Sequence, residues 1–235
     1  MSRPTLIAGF VVLVVLGGGL FAWDAYTTAQ EEKAAARRES RREQRERERE
    51  EELEALAEGL REASTGQFPP PLDALALGIT EGELRTLRPN IQEKDEERPG
   101  TWYEEQLANG AQAIYAIGEE SGRLGQVQVL SMVPPEGIPP HLTALVERYG
   151  SPTGAWDCPA QSAAGVPTRR FTWRMDRIAI QDIILVHPGG VSITLYIAPA
   201  DVIGQSLQLS RCRPVSSREE MANLPIATQE QIGEP

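Results

Sequence analysis

Cysteine and histidine are almost missing from this chain, with two of each among 235 residues. His141 opens one segment and His187 precedes a Pro-Gly-Gly turn, in no H-x-x-x-H or C-x-x-C context, which leaves a zinc-type site without its clustered ligands. No G-x-S-x-G elbow, P-loop or G-x-G-x-x-G occurs either, so the usual signatures of acyl transfer, nucleotide hydrolysis and dinucleotide binding are lacking. No cofactor is expected. An excess of cations is lacking too: 23 Lys and Arg face 34 Asp and Glu, for a net charge of −11. That balance argues against nucleic acid as a partner, because phosphate recognition needs a concentrated positive field. Paired carboxylates at Glu104 and Glu105, Glu119 and Glu120, and Glu219 and Glu220 are read as solvent-facing groups, not as an acid and base.

Long apolar runs are lacking with one exception, TLIAGFVVLVVLGGGLFAW from Thr5 to Trp23. It holds no charge and as a helix would extend about 28 Å, close to the thickness of a bilayer's hydrocarbon core. Trp23 and Tyr26 follow where interfacial aromatics lie. The run is read as an uncleaved single-pass inner-membrane anchor over residues 1–29, in preference to a secretory signal cut near Ala29, because it exceeds a usual signal core. Residues 30–63 read as a charged helical stalk. Arginine and glutamate balance from Arg37 to Glu52, nothing apolar appears between Ala36 and Leu53, and no Gly or Pro interrupts from Asp24 to Glu58. A basic patch and a sustained coiled-coil seam are both excluded there, leaving a helix supported by pairs such as Arg42 with Glu46. Leu53, Leu56 and Leu60 form a narrow stripe that docks on a folded domain or pairs with another copy.

Residues 64–71, STGQFPPP, read as a stiff linker. The following α+β domain, 72–214, reads as tandem helix plus antiparallel meander units over 72–133 and 134–214, with a flexible tail over 215–235. The first helix, TEGELRTLRP, carries a capping box at Thr80 and Glu83, and the second, HLTALVERY, stops at Gly150. Alternation at Phe171, Trp173 and Met175, and again at Val191, Ile193, Leu195 and Ile197, gives strands with one buried face. ADVIGQSLQLSRCRP fits either a helix or an edge strand.

The passages LALGITEGELRTLRP and LTALVERYGSP, each followed by a strand run, resemble the helix-plus-meander unit of the β-lactamase-inhibitory-protein-like superfamily, which includes small outer-membrane-assembly lipoproteins. Gly78, Ile79 and Thr80 match the start of that unit, and Gly150 and Pro152 match its end. The chain departs from the pattern in having no lipidation cysteine. The resemblance implies a fold that contacts other proteins through its sheet face, with neither catalysis nor cofactor.

Cys158 in WDCPA and Cys212 in SRCRP lie in polar, turn-like settings and are read as a disulfide, which places the bulk of the chain in the periplasm or otherwise outside the cytosol. Lys33, Arg37 and Arg38 after the apolar run pull the other way, towards a cytosolic C-terminus with two reduced thiols. For a protein partner, the candidate residues are Trp102 and Tyr103, which as strand neighbours point to opposite faces so that one is expected to be exposed, and Arg169, Arg170 and Arg174. Arg170, Thr172 and Arg174 share one face, opposite Phe171 and Trp173, suited to an acidic partner or a solvated edge. The leading expectation is an envelope protein-binding adaptor or accessory subunit, not an enzyme. The alternatives are a tethered cysteine-dependent hydrolase or inhibitor using Cys158, and a subunit recruited through Gly17, Gly18 and Gly19 of the anchor.

Overall fold

The computed structural model describes residues 3–95, 97–159, 167–187 and 190–215, with side chains from residue 33 onward. The side chains of residues 1–32, which include the expected anchor, Pro188 and Gly189 of the expected HPGG turn, and the tail beyond Val215 lie outside the described residues. The chain divides into two compact units, 1–53 and 54–235.

Helix α1 runs Arg3–Ser64. Its first-unit portion is exposed from residue 33 through Glu52, and Arg42 Nε meets Glu46 Oε1 one turn on at 3.1 Å. Among the described residues no helix is long and apolar enough to cross a membrane. The expected transmembrane helix is therefore not supported; the side chains described along α1 begin at Lys33 and lead into the Arg/Glu segment, which carries charge on every face and is unsuited to hydrocarbon.

In the second unit the last turns of α1 dock into the core. Ala57 and Leu60 are buried, while Leu56 stays 51% exposed, so the expected leucine stripe does not present itself as one seam for a second copy. The Pro-rich segment is stitched down as well. Ser64 Oγ donates to Leu60 O and accepts from Leu77 N, both at 2.7 Å, and Arg148 Nη2 and Tyr149 Oη donate to the carbonyls of Gly66 and Gln67. Gly78 closes this region at φ +80, where the carbonyl oxygen of Ala57 lies 2.1 Å from where a Cβ would stand. Only glycine meets both demands.

Three short helices follow: α2 (Glu81–Leu87), α3 (Ile138–Tyr149) and α4 (Ala200–Leu209). The capping box of α2 is formed at Thr80 and Glu83, and α3 begins with Pro139 and Pro140 in its first turn, where their missing N–H groups cost nothing. The strands are β1 (Gln92–Lys94), β2 (Thr101–Gln106), β3 (Gln112–Ile117), β4 (Leu124–Val133), β5 (Gly154–Cys158), β6 (Thr168–Met175), β7 (Ile178–His187), β8 (Gly190–Pro199) and β9 (Arg213–Pro214). The segment ADVIGQSLQLSRCRP resolves into both of its readings, helix α4 followed by edge strand β9.

All nine strands belong to one antiparallel sheet, in the order β1-β2-β3-β4-β8-β7-β6-β5-β9. Strand β4 pairs with β8 from Val127↔Ile197 to Val133↔Val191. Among the described residues this corrects the expected architecture of a membrane helix and tandem units to one continuous nine-stranded sheet with four α-helices. The physical reason is edge satisfaction: β4 and β8 would each otherwise expose a long row of backbone donors and acceptors, and pairing them removes both edges.

One sheet face forms the main core, with Tyr115, Val127, Trp173, Ile180, Ile193 and Ile197 buried beneath α2, α3 and the end of α1. The ring of Trp173 lies 6.1 Å from that of Tyr149 on α3, and its Nε1 donates to Gly150 O at 2.8 Å. The reverse face carries α4, whose Ile203 joins Ala179 and Ala198 in a separate small cluster.

Candidate functional site

The reverse face of β5, β6 and β7 is where sequence alternation placed Arg170, Thr172 and Arg174. The register sets Trp156 and Ile183 beside Arg170, Gly154 and Gln181 beside Thr172, and Ala179 beside Arg174. α4 crosses this patch as a roof. At one end it is held by the Ile203 cluster, and just beyond its C-terminus the Cys158–Cys212 disulfide ties the chain back to β5. The disulfide closes a sequence separation of 54 residues. Arg211 turns the chain at φ 47 between α4 and β9, and Cys212 N donates to Leu207 O at 3.1 Å.

Between roof and strands lies a cavity of about 570 Å³, lined by Trp156, Thr172 and Arg174 from the sheet, Ile203, Gly204, Leu207 and Gln208 from α4, and Cys212. Among the described residues no acidic side chain lines it. Behind its lining lie buried polar atoms with no partner among the described residues: Trp156 Nε1 and Thr172 Oγ1, and, on the neighbouring strand away from the lining, both amide atoms of the wholly buried Gln181. The Trp156 indole lies back across Gly154, its Nε1 3.0 Å from where a Cβ would be.

Arg170 adjoins this wall. Its Nη1 and Nη2 donate to Ser206 Oγ at 3.2 Å and Ser210 Oγ at 3.3 Å on α4, its Nε is buried without a partner, and no carboxylate among the described residues pairs with it. Burial pulls its guanidinium below the ordinary arginine value, yet arginine starts so high that the group remains a cation at neutral pH. A half-buried cation held by two neutral hydroxyls is electrostatically unbalanced, because its partial desolvation is not returned by an opposite charge.

The expected site residues separate into three places. Arg174 lines the cavity, and Arg170, four residues back on the same face of β6, is bonded to Ser206 and Ser210 of α4 beside it. Arg169 points to the other side of β6, is 1% exposed, and donates from Nε to Asp157 Oδ1 at 2.5 Å, with Arg213 on the second oxygen of the same carboxylate. Trp102 and Tyr103 lie on β2 in the opposite half of the sheet, and both are buried, so neither is the exposed aromatic expected there. Tyr103 Oη donates to Glu81 Oε1 at 2.6 Å and accepts from Arg85 Nη2 at 2.9 Å, which ties β2 to α2. Cys158 is bonded to Cys212, so in this form it supplies no thiolate for the cysteine-dependent alternative.

Trp156, Gln181, Ser206 and Ser210 escaped sequence reading. A signal existed for two of them: Trp156 stands two residues before Cys158 on the same strand face, and Gln181 interrupts the apolar run RIAIQDIILV.

Asp182 marks a second buried polar position, on the core face. It is fully buried, its Oδ1 lies 2.9 Å from His141 Nε2 on α3, and its Oδ2 has no partner among the described residues. Burial raises its carboxyl above the ordinary range, opposed by the His141 hydrogen bond. An acid whose folded pKa is raised contributes stability that is present below its unfolded pKa and lost as pH rises through the folded value. Asp182→Asn, which cannot ionise, should therefore gain stability relative to the parent as pH rises from about 4 towards neutrality, with the two melting temperatures converging at the acid end. Thermal melts across that range check it; a constant gap at every pH would refute it. Among the described residues no group of three or more His, Cys, Asp and Glu is placed to hold a metal ion.

Compared with known proteins, the chain matches no family model, no curated protein and no solved structure. The functional reading therefore rests on its own residues.

Proposed function

We propose that the globular unit is a non-catalytic binding module, an adaptor or accessory subunit working outside the reducing cytosol, that receives an anionic group of a protein partner in the cavity between α4 and β5–β7. The observation that carries this reading is Arg170: a half-buried guanidinium with no counter-charge among the described residues, next to a cavity with no acid among its described lining residues, in a chain of net charge −11. A structural arginine of this fold looks different. Arg169, its neighbour, is neutralised by Asp157. The disulfide supports an oxidising compartment, and the resemblance to the β-lactamase-inhibitory-protein-like group, whose members contact proteins through a sheet face, is part of the same proposal.

The test is site-specific photo-crosslinking in the native host. A benzophenone amino acid at Gln208, on the cavity lining, should give a discrete protein adduct that disappears when Arg170→Gln is added, provided melting shows the variant folded. The same probe at Met132, which is 63% exposed on β4, should not give that adduct. An identical adduct from both positions, or one indifferent to Arg170, would remove this cavity from consideration.

A further inference from the structure

We infer that the reverse sheet face carries a second site, separate from the α4 cavity, where Met132 and His187 form a soft-donor pair that takes up a monovalent copper ion. The inference goes beyond the protein-binding reading and does not rest on it.

Three side chains meet at one end of the adjacent strands β4, β8 and β7. Ser192 of β8 is opposite Met132 of β4 on one side and Leu185 of β7 on the other, and His187 follows two residues after Leu185, on the same sheet face. The Ser192 hydroxyl donates to Met132 Sδ at 3.0 Å and lies 3.4 Å from His187 Nε2. Sulfur and nitrogen therefore approach one hydroxyl oxygen, and their separation cannot exceed the sum of those two legs. Unlike the polar atoms beneath α4, this pair is within reach from outside: Met132 is 63% exposed, and Ser192 and His187 are half-buried. Met132 and Ser192 also line a surface cavity of about 470 Å³. At Gly190 a Cβ would already lie 3.8 Å from Met132 Cε, so glycine keeps that flank of the thioether open.

The donor atoms select the ion. A thioether is a neutral, polarisable ligand suited to soft cations, whereas calcium and magnesium take hard, mostly anionic oxygen. The surroundings exclude those hard ions a second time, because the cavity beside Met132, with Gln106, Asn109 and Gln112 in its lining, has no acid among its described lining residues. Nor do the described residues bring three His, Cys, Asp or Glu side chains together as a zinc site requires. One sulfur and one imidazole nitrogen, without a carboxylate to offset a second positive charge, suit a soft ion of single charge that accepts few ligands. Cu(I) is that ion. Methionine is unbranched and turns about several bonds, so its exposed side chain can close on the ion without moving the strands. The Ser192 hydroxyl holds both donors towards one point and gives way to the metal.

The experiment titrates the full-length protein with silver(I), a redox-inert ion of the same charge and softness, in chloride-free buffer. Calorimetry and the methyl resonances of protein labelled at methionine Cε follow the binding. The parent should bind silver with a shift of the Met132 methyl, which is identified by its loss in Met132→Leu. Met132→Leu and His187→Gln should each weaken silver by at least about tenfold, since even changes behind a metal's direct ligands cost that much. Met132→Leu conserves volume at an exposed position, so a melt should show it folded. Ser192→Ala removes the intervening hydroxyl and should bind silver as the parent does; a loss there assigns the ion to oxygen and overturns the soft-donor pair. Zinc(II) should leave the Met132 methyl in place. Cu(I), supplied without oxygen as its acetonitrile complex, should displace silver from the same methyl, and failure to do so overturns the assignment to copper. No binding by the parent, zinc bound as tightly as silver, or silver retained after either substitution, which means an adventitious ion only, overturns the inference. Both variants lie outside the α4 cavity lining, so the Gln208 adduct should persist in each and the two sites stand or fall separately.

Discussion

Reduction of the Cys158–Cys212 disulfide, or Cys158→Ser with Cys212→Ser, should cost the protein about 4 kcal/mol of stability, the chain-entropy value for a crosslink closing a loop of this length. Small domains have only about 5–15 kcal/mol in total, so the effect is large. Its first visible consequence should be local. α4 touches the sheet through few residues, principally Ile203 with Ala179 and Ala198, and the last strand is short, pairing Asp157↔Arg213 and Trp156↔Pro214 with Val215 N donating to Ala155 O at 2.8 Å. Without the crosslink these contacts must hold α4 over the cavity unaided. Denaturant unfolding with and without a reductant should show a lower midpoint, and hydrogen exchange should accelerate in residues 200–215 before the central strands respond. An unchanged midpoint after complete reduction would show that the crosslink is dispensable. Because Cys212 lines the cavity, the same treatment should weaken the site described above.

Arg88→Ala should be of similar severity, about 3–5 kcal/mol, the usual result of removing one member of a buried ion pair. Arg88 Nε donates to Glu105 Oε1 at 2.6 Å and Nη1 to Pro71 O at 3.2 Å, while Tyr115 Oη donates to the same carboxylate oxygen. Glu105 and Tyr115 are both buried, and burial pushes the Tyr115 phenol well above its ordinary value. The Arg88 guanidinium is held above its ordinary value, chiefly by the hydrogen bond to Glu105. Alanine at position 88 would leave the carboxylate in the core with a phenol as its remaining side-chain partner. Adding Glu105→Gln removes the stranded charge, so the double variant should be more stable than Arg88→Ala alone. Urea denaturation of the parent, both single variants and the double variant gives the coupling directly. Additive losses would show that the pair is not energetically joined.

These two positions illustrate how differently residues reveal themselves. Cys158 and Cys212 were legible because a protein with only two cysteines, both in polar turn-like settings, offers one pairing. Glu105 was not legible: beside Glu104 it reads as half of a solvated acidic pair, and only the neighbouring strand and the cap of α2 turn it inward to meet Arg88. Asp182 is similar, buried under α3 where His141 can reach it. The buried Trp102 and Tyr103 show the same effect in reverse. Strand alternation correctly set them on opposite faces, but Tyr103 is covered by α2 and Trp102 Nε1 donates to Pro99 O at 3.3 Å with Arg98 lying over its ring, so both are closed off from solvent.

Local pattern by itself determined the helix caps at Thr80 and Gly150, the charge-balanced helix after residue 33, the alternation of β6 and β8, and the shared face of Arg170 and Arg174. Such features depend on neighbours within one or two turns or strand periods, and those neighbours are written next to them in the chain. Tertiary structure alone decided that β4 and β8 would join, that the Pro-rich segment would be pinned to α3, and that α4 would roof Arg170 and leave a cavity. Each of these depends on which distant surface covers which, a choice set by the burial and hydrogen-bond satisfaction of the whole sheet.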